Sequence, residues 1–265
     1  MHTKQSVPAT FFPIALPKVK LGQKLDSVVL KTLYEMEFQL HRDDILCVAS
    51  KVVSISERRI ARLRQKRVSS VARALAEKYS MNRQLAQIVL EEADAICGGV
   101  KGFLLTIKQG ILTPNAGVDA KNSPTGTVAL WPVHPDSSAA RLRASVMRTE
   151  NVRLGVMIID SRITPLRLGT VGIAIGVSGF RAVRDERGKR DLYGRRVMVT
   201  RSNLADDVAS AAHLLMGECD ERTGLVVVRN APVKMTWSDP GKLSLGVRNC
   251  LIGANLLLGS AGSNT

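Results

Sequence analysis

The stretch Gly155-Val-Met-Ile-Ile-Asp160-Ser161 joins a run of apolar residues to two polar ones. A short apolar run without polar alternation is typical of a strand that is covered on both faces, as in sheets flanked by helices. We expect the strand to end at Asp160, and the carboxyl ends of strands are where α/β proteins bind ligands. The stretch therefore predicts an α/β fold with a candidate site at Asp160.

Further strands and helices are predicted on either side of this strand. Helical spacing of apolar residues, capping residues and turn residues mark most of their limits. Gly98-Gly99 is expected to stop one of the helices. We predict an extended segment at 15–20, strands at 45–49 and 225–229, a hairpin over 102–113, and helices over 25–36, 58–67, 85–96, 135–147 and 205–216.

The size and composition of the chain indicate a globular protein. Its 265 residues suffice for one large domain or two small ones. Hydrophobic residues make up 45% and charged residues 23%, which argues against a disordered chain. Four well-separated cysteines indicate neither a zinc site nor a disulfide framework. Three prolines among residues 7–17 argue against a signal peptide in this segment. We therefore expect a cytoplasmic protein whose cysteines are reduced.

A strongly basic balance is the second informative feature. Lys and Arg number 38 against 23 Asp and Glu, which gives a net charge of +15. Such a charge favours anionic partners: nucleic acid, membrane headgroups or acidic small molecules. The clusters at 58–67 and 181–190 are candidate nucleic-acid contacts, and solvated surface charge is the alternative interpretation. Aromatic residues make up only 4% of the chain, which argues against a base-stacking surface.

Three carboxylates stand out because the common catalytic motifs are absent. The sequence has no Walker A motif, no Rossmann fingerprint and no His or Cys pair at metal-ligand spacing. Asp119 lies in a Gly-containing loop, Asp160 at a predicted strand end, and Glu218 just after a predicted helix. Oxygen ligands without Cys or His favour magnesium or manganese over zinc. The alternatives are local: a cap, an Asx-turn and a solvated carboxylate, respectively.

Several motifs occur in an order that resembles one family. The chain is similar to the coenzyme F420-0:γ-glutamyl ligases over residues 11–233. The resemblance rests on Leu16-Pro17, Gly22, Asp44, Ser50-Lys51-Val-Val-Ser54, Asn115-Ala-Gly-Val-Asp119-Ala-Lys-Asn122, Pro135-Asp136-Ser-Ser-Ala-Ala-Arg141, Ile158-Ile-Asp160, Ala174-Ile-Gly-Val-Ser-Gly179, Asp191-Leu-Tyr-Gly194, Ala205–Glu218 and Val226-Val-Val-Arg229.

The resemblance implies a fold and an activity. Members of this family use GTP and a divalent metal, Mg²⁺ or Mn²⁺, to join L-glutamate to a carboxylate of a phosphate-bearing deazaflavin, the coenzyme F420 precursor. The expected fold is mixed α/β (α+β), with mixed and antiparallel sheets and flanking helices. The expected assembly is a homodimer, without a membrane or a specific nucleic acid as partner. Two metal sites and K⁺ as a further cofactor belong to the same expectation.

The resemblance also assigns roles to individual residues. Asp119 and Asp160 are the expected catalytic carboxylates and metal ligands. Ser161, where the family usually has Thr, and Glu218 are the other expected metal ligands. The expected nucleotide contacts are Leu16, Pro17, Lys18, Val19, Ser50, Lys51, Asn122, Met216, Gly217 and Glu218, and the phosphate-side loop is 216–223.

The chain departs from the family pattern at several positions. Ile55 replaces a usual Lys, Glu57-Arg58 replaces a Glu-Gly pair, and Gln23-Lys24 replaces two acids. In the segment from Asp160 to Arg167 the usual Gly and Trp are missing. This change leaves two acceptors open, the coenzyme F420 precursor and a folate or pteroate. We expect a catalytic region over 1–233, with one or two subdomains, followed by an unassigned C-terminal extension over 234–265.

Overall fold

A computed structural model describes residues 7–121 and 123–261, with side chains described up to residue 256. The chain forms two compact units. The first comprises the segments up to Glu57, Pro132–Ser161 and Thr170–Leu243, and the second comprises Arg58–Trp131, Arg162–Gly169 and the segment from Ser244 onward. The division into a catalytic region over 1–233 and an extension over 234–265 stays a prediction.

The elements are numbered in chain order. The strands are β1 (Thr10–Ile14), β2 (Ile45–Ala49), β3 (Ile60–Arg62), β4 (Ala95–Val100), β5 (Phe103–Lys108), β6 (Ile111–Pro114), β7 (Thr127–Ala129), β8 (Gly155–Ile163), β9 (Thr170–Ser178), β10 (Val183–Asp185), β11 (Arg201–Asn203) and β12 (Leu225–Arg229). The helices are α1 (Leu25–Glu35), α2 (Ser50–Ser56), α3 (Ser70–Lys78), α4 (Arg83–Glu92), α5 (Pro135–Glu150), α6 (Leu204–Met216) and α7 (Leu251–Ala261).

A five-stranded mixed sheet forms the centre of the first unit. Its strand order is β1-β12-β2-β8-β9. Strands β1 and β2 both run antiparallel to β12, whereas β2 and β8 are parallel. Ile14 pairs with Leu225, Leu225 pairs with Val48, and Ala49 pairs with Ile159. The carboxyl ends of β1 and β2, the start of β12 and the position of Asp160 in β8 therefore lie at the same edge of the sheet.

Helices cover this sheet because its strands are apolar. Helices α5 and α6 contact β9, and α6 also contacts β2 and β12. The start of α5 is fixed by Asp136, whose carboxylate accepts the backbone N–H of Val177 at 2.8 Å. The shared core contains the buried side chains of Ile45, Cys47, Met157, Ile159, Phe180, Ala209, Ala212 and Val226.

The second unit contains smaller antiparallel sheets and the helix pair α3–α4. Strands β4, β5 and β6 form one sheet, and β3 pairs with β7 in another. Its core includes Ile88, Val89, Leu104 and Val128. In this unit α7, which lies in the extension, contacts β4. The sheets of the two units confirm the predicted mixed α/β fold with mixed and antiparallel sheets.

Most of the predicted elements are confirmed. Strands β2 and β12 and the hairpin β5–β6 lie where the sequence predicts them, and so do α1, α5 and α6. Gly217 ends α6 with a positive φ of 69°. Among the described residues, no helix is long and apolar enough to cross a membrane.

The predicted helix over 58–67 is wrong. Arg58 has a positive φ of 59°, and Ile60–Arg62 then form β3, which pairs with Thr127–Ala129. The Arg59 guanidinium donates to the Trp131 carbonyl at 3.0 Å and to the Glu92 carboxylate at 2.6 Å. Strand pairing and these contacts outweigh the local helical pattern.

Two other predicted limits are wrong. Helix α4 ends at Glu92, and Gly98-Gly99 lie inside β4, where a Cβ on Gly99 would approach the Phe103 carbonyl oxygen to 2.5 Å. The predicted extended segment at 15–20 follows the first strand, which lies at Thr10–Ile14. Strand β8 does not stop at Asp160: β2 ends beside Ile159, and β8 continues to Ile163 next to its other neighbour, β9.

Candidate functional site

Four segments of the first unit meet at one edge of its sheet. Residues 16–19 follow β1, Ser50 follows β2, Asp160 lies one residue beyond the last β2–β8 pair, and the loop 217–224 leads into β12. The Leu16 N–H donates to the Arg222 carbonyl at 3.0 Å, and the Ala49 N–H donates to the Gly224 carbonyl at 3.0 Å. These bonds join the segment after β1 and the end of β2 to the loop before β12.

The segment after β1 alternates between core and surface. Leu16 and Val19 are buried, whereas Pro17 and Lys18 are exposed. A Cβ placed on Gly224 would lie 3.0 Å from the Leu16 side chain, so this glycine allows the loop to approach the segment closely. Leu16 and Val19 therefore anchor the segment, and the residues between them face solvent.

Ser50 and Asp160 occupy neighbouring strand positions at this edge. Ser50 is buried and begins α2, where its carbonyl accepts the Ser54 hydroxyl at 2.9 Å. Asp160 and Ser161 are half-buried, and the Asp160 carboxylate accepts the Ser161 N–H at 2.8 Å. Lys51 is half-buried in the first turn of α2. A carboxylate, a hydroxyl and an amine are thus carried by adjacent strand ends.

The loop after α6 directs backbone N–H groups at a carboxylate. The Cys219 N–H donates to Glu221 Oε2 at 2.8 Å. Hydrogen bonds from the backbone N–H groups of Glu221 itself, of Cys219 and of Glu218 hold the pKa of the Glu221 carboxyl below its usual value. Gly217 has a positive φ of 69°, which favours glycine, and its missing side chain leaves room for the Glu221 carboxylate. Successive N–H groups that converge in this way form an anion-binding geometry.

Glu218 is held by two side chains of the first unit. His213 Nε2 lies 2.9 Å from Glu218 Oε1, and the Thr170 hydroxyl donates to the same oxygen at 3.0 Å. Glu218 is therefore not the merely solvated carboxylate of the alternative interpretation. Its loop is connected to α6 and to the first residue of β9.

Asp119 lies in the second unit, after a segment with unusual backbone geometry. Asn115, Ala116 and Gly117 have positive φ values of 50°, 53° and 70°. The Asn115 side chain accepts the Leu104 N–H at 2.9 Å, which helps to hold this conformation. A positive φ in a non-glycine residue costs about 1–2 kcal/mol and often occurs at functional sites.

The side chain of Asp119 forms an Asx-turn, which was the local alternative to a functional role. Its carboxylate accepts the Lys121 N–H at 2.7 Å, as in an Asx-turn, and its backbone forms a bridge with Ala129. Asn122, an expected nucleotide contact, lies outside the described residues. Asp119 belongs to one unit and Asp160, Ser161 and Glu218 to the other.

The donor set suits a hard cation only with help from a ligand. Among the residues that the structure describes, no three His, Cys, Asp or Glu side chains are grouped so that they could hold a metal ion. Mg²⁺ is typically bound by one or two carboxylates together with substrate phosphates and water. The half-buried Asp160 and the oxygen-only character of Asp160, Ser161 and Glu218 fit that mode.

Some residues of this unit were not foreseen from the sequence. Glu57 accepts the Ser138 hydroxyl at 2.5 Å and the Arg141 guanidinium at 2.6 Å, and so ties the end of α2 to the first turns of α5. His213 lies five residues before Glu218, across a glycine turn. No regular spacing connects either set of partners, so the fold alone reveals them.

Comparisons with known proteins place the chain in a family. The F420-0:γ-glutamyl ligase family matches residues 13–230. Three similar proteins are each named coenzyme F420:L-glutamate ligase. The one from Methanopyrus kandleri is 38% identical over 80% of this chain and 82% of its own length.

The other two relatives agree with the first. The protein from Archaeoglobus fulgidus is 37% identical over 84% of this chain and 88% of its own length. The protein from Methanocaldococcus jannaschii is 36% identical over 83% of this chain and 87% of its own length. The matched region includes the sheet edge of the first unit and the Asp119 segment of the second. This chain therefore belongs to the F420-0:γ-glutamyl ligase family.

Proposed function

We propose that the protein is a ligase that forms an amide between L-glutamate and the carboxylate of a coenzyme F420 precursor. Family membership and the names of its relatives support this activity. The structural observation that carries the proposal is the meeting of residues 16–19, Ser50, Asp160 and the loop 217–224 at one sheet edge. This is where α/β proteins bind their ligands.

GTP is the proposed co-substrate, and an acyl phosphate is the proposed intermediate. An acceptor carboxylate oxygen forms a bond to the γ-phosphorus while the bond to the β-phosphate oxygen breaks, which releases GDP. The glutamate amine then forms a bond to the acyl carbon, loses a proton and displaces inorganic phosphate. Both steps need positioning and charge stabilisation more than a protein nucleophile. The N–H groups of the loop 217–224 and the cationic Lys51 are suited to anionic phosphate.

The proposed ligands of Mg²⁺ or Mn²⁺ are Asp160, Ser161, Glu218 and Asp119. K⁺ is proposed as a further cation. A bound divalent cation would neutralise charge on the phosphate oxygens. Asp160 and Ser161 are fixed by β8, whereas Glu218 is fixed by His213 and Thr170.

We further propose that the protein acts as a homodimer, and light scattering at several concentrations tests this assembly.

The activity is tested by coupling assays with defined acceptors. The protein is incubated with GTP, Mn²⁺ and L-glutamate, together with either the coenzyme F420 precursor or pteroate, and the products are weighed by mass spectrometry. We expect a glutamyl adduct on the F420 precursor, with stoichiometric GDP. An adduct on pteroate alone would transfer the proposal to the second acceptor. No adduct on either acceptor would rule out both.

The altered segment after Asp160 is the reason to test both acceptors. Leu166, which lies in this segment, and Leu168, which directly follows it, are fully exposed. The segment carries neither the Gly nor the Trp that is usual for the family. An exposed apolar segment that follows the Asp160 strand is a suitable place for acceptor choice to change.

A further inference from the structure

The Glu218 carboxylate is held at only one of its two oxygens. His213 Nε2 lies 2.9 Å and the Thr170 hydroxyl 3.0 Å from Oε1. Glu218 Oε2 receives no hydrogen bond from the residues that the structure describes. The carboxylate is therefore oriented, and one oxygen remains to bind a ligand.

The direction of the hydrogen bond between His213 and Glu218 follows from the chemistry of the carboxylate. An ionised carboxylate can only accept hydrogen bonds, so the His213 nitrogen at 2.9 Å must be the donor. Nε2 therefore carries a proton, and the imidazole acts as an N–H donor to Glu218. In metalloproteins, hydrogen bonds of this kind fix the orientation of the groups that bind the metal.

The two donors lie on elements that pack against each other. His213 lies in the last turn of α6. If Gly172 of β9 carried a Cβ atom, that atom would lie only 2.5 Å from the Cβ of His213. The Ser210 hydroxyl, one turn earlier, donates to the Gly172 carbonyl at 2.9 Å. Thr170 is the first residue of β9. Close packing between α6 and β9 thus sets the positions of the two groups that hold Glu218.

We propose that His213 and Thr170 are positioning residues that fix the Glu218 carboxylate for a nucleotide-bound divalent cation. This inference rests on the proposed function, because it assigns the remaining oxygen to that cation. Neither residue contacts the reacting atoms, so both act through Glu218. The pair is partly exposed, with 15% of the His213 and 39% of the Glu218 side chain accessible. Such a pair contributes little to folding, and its loss should affect ligand binding instead.

Binding of Mn²⁺ in the presence of GDP is the direct test, measured by calorimetry on the full chain. We expect His213→Ala and Thr170→Val each to weaken Mn²⁺ binding by about tenfold. This is the smaller of the losses in metal affinity that typically follow when a residue holding a metal ligand is removed. His213→Gln keeps a donor that can reach Oε1 and should retain most of the affinity. His41→Ala is the matched control, because His41 is exposed and uses its backbone N–H in its hydrogen bond to Asp44.

A double-mutant cycle separates positioning from a general structural effect. In a Glu218→Gln background, His213→Ala should cause no further loss, because its target carboxylate is already gone. Equal losses with and without Glu218, or unchanged Mn²⁺ affinity in His213→Ala, would overturn the proposal, as would a wild type that binds no Mn²⁺ with GDP. A wild type that binds Mn²⁺ with GDP in the predicted manner but makes no glutamyl adduct would refute the proposed function alone.

Discussion

The two edges of the five-stranded sheet in the first unit use charged residues in opposite ways. At one edge Asp44, which is fully buried, accepts the Arg229 guanidinium through both carboxylate oxygens at 3.0 and 2.9 Å, and it also accepts the His41 N–H at 2.8 Å. The Arg229 guanidinium lies over the Phe12 ring at 5.1 Å. At the other edge Asp160 is half-buried and Glu218 has one oxygen left over.

This difference separates structural from functional charges. Asp44 and Arg229 satisfy each other and join the start of β2 to the end of β12. The polar groups near Asp160 come from strand ends and loops, and Asp160 itself is only half-buried. Residues of the family motifs occur at both edges, so motif membership alone does not indicate a ligand contact. Burial distinguishes the two residues: Asp44 is fully buried, whereas Asp160 is half-buried.

The largest effect is expected for Asp160→Asn. The substitution removes the negative charge of a proposed metal ligand without changing its size. We expect kcat/KM for glutamyl transfer to fall about a thousandfold or more, which corresponds to about 4 kcal/mol. The unliganded protein should melt at the wild-type temperature. Steady-state kinetics and melting curves provide the two measurements. Wild-type activity in this variant would mean that Asp160 has only a local structural role.

Asp119→Asn and Ser161→Ala sharpen this result. Asp119→Asn should reduce activity by a similar order, because it removes the charge of another proposed metal ligand. Ser161→Ala should cost less, because water can replace a neutral hydroxyl ligand. Titration of Mn²⁺ in the activity assay measures both effects. The order would contradict the proposal if Ser161→Ala were the more damaging substitution.

At the opposite edge, Asp44→Asn should affect stability rather than chemistry. Removal of one partner leaves the Arg229 charge without its buried counter-ion, which costs about 3 kcal/mol of unfolding free energy. The protein that remains folded should have a wild-type KM for GTP. Urea unfolding monitored by circular dichroism, together with kinetics at low temperature, measures both quantities. A selective rise in KM at unchanged stability would reverse the assignment.

The second unit offers a pH-dependent counterpart. The Glu92 carboxylate, with 15% of its side chain accessible, accepts the Lys108 ammonium and the Arg59 guanidinium, each at 2.6 Å. Burial raises the pKa of Glu92, but these hydrogen bonds outweigh it and leave the pKa below its usual value. The triad therefore stabilises the fold above about pH 4.5, and this contribution is lost as the pH falls through the lowered pKa.

Glu92→Gln tests this triad. We expect a loss of about 2 kcal/mol at pH 7, because two cations remain partly buried without their counter-charge. The difference from wild type should shrink as the pH decreases below 4.5. Urea unfolding at pH 7, 5 and 3.5 measures it. A difference that stays constant over this range would show that the charge of Glu92 does not stabilise the unit.

The smallest effect is expected for the basic hairpin β10–β11. Arg184 and Lys189 pair with Glu186, and Arg187 pairs with Asp185, so part of the positive charge is offset within the hairpin. Arg190→Gln should leave the melting temperature and the KM for GTP unchanged. RNA binding should be weak and decrease steeply with salt. Tight, sequence-selective binding at physiological salt would instead favour a nucleic-acid function.

Local patterns predicted the elements whose neighbours agree with them. The hairpin β5–β6 follows from strand residues around Gln109-Gly110, and α6 follows from its apolar face and Gly217. The basic run at 58–67 misleads, because strand pairing with 127–129 decides its conformation. Asp160 could be found from its place after an apolar run. The partners of Glu57 and Glu218 could not, because the fold brings them together from distant or irregularly spaced positions.

The most direct test of the central claim is a set of melting curves for wild type and Asp160→Asn, with and without Mn²⁺ and GTP. At ligand concentrations of about 100 times Kd, binding stabilises the native state by about 2.7 kcal/mol, which corresponds to about 5–10 °C for a chain of this size. We predict this increase for wild type and a much smaller one for Asp160→Asn, at equal melting temperatures without ligand. Equal increases in both proteins, or a variant that is destabilised without ligand, would contradict the assignment of this sheet edge as the nucleotide and metal site.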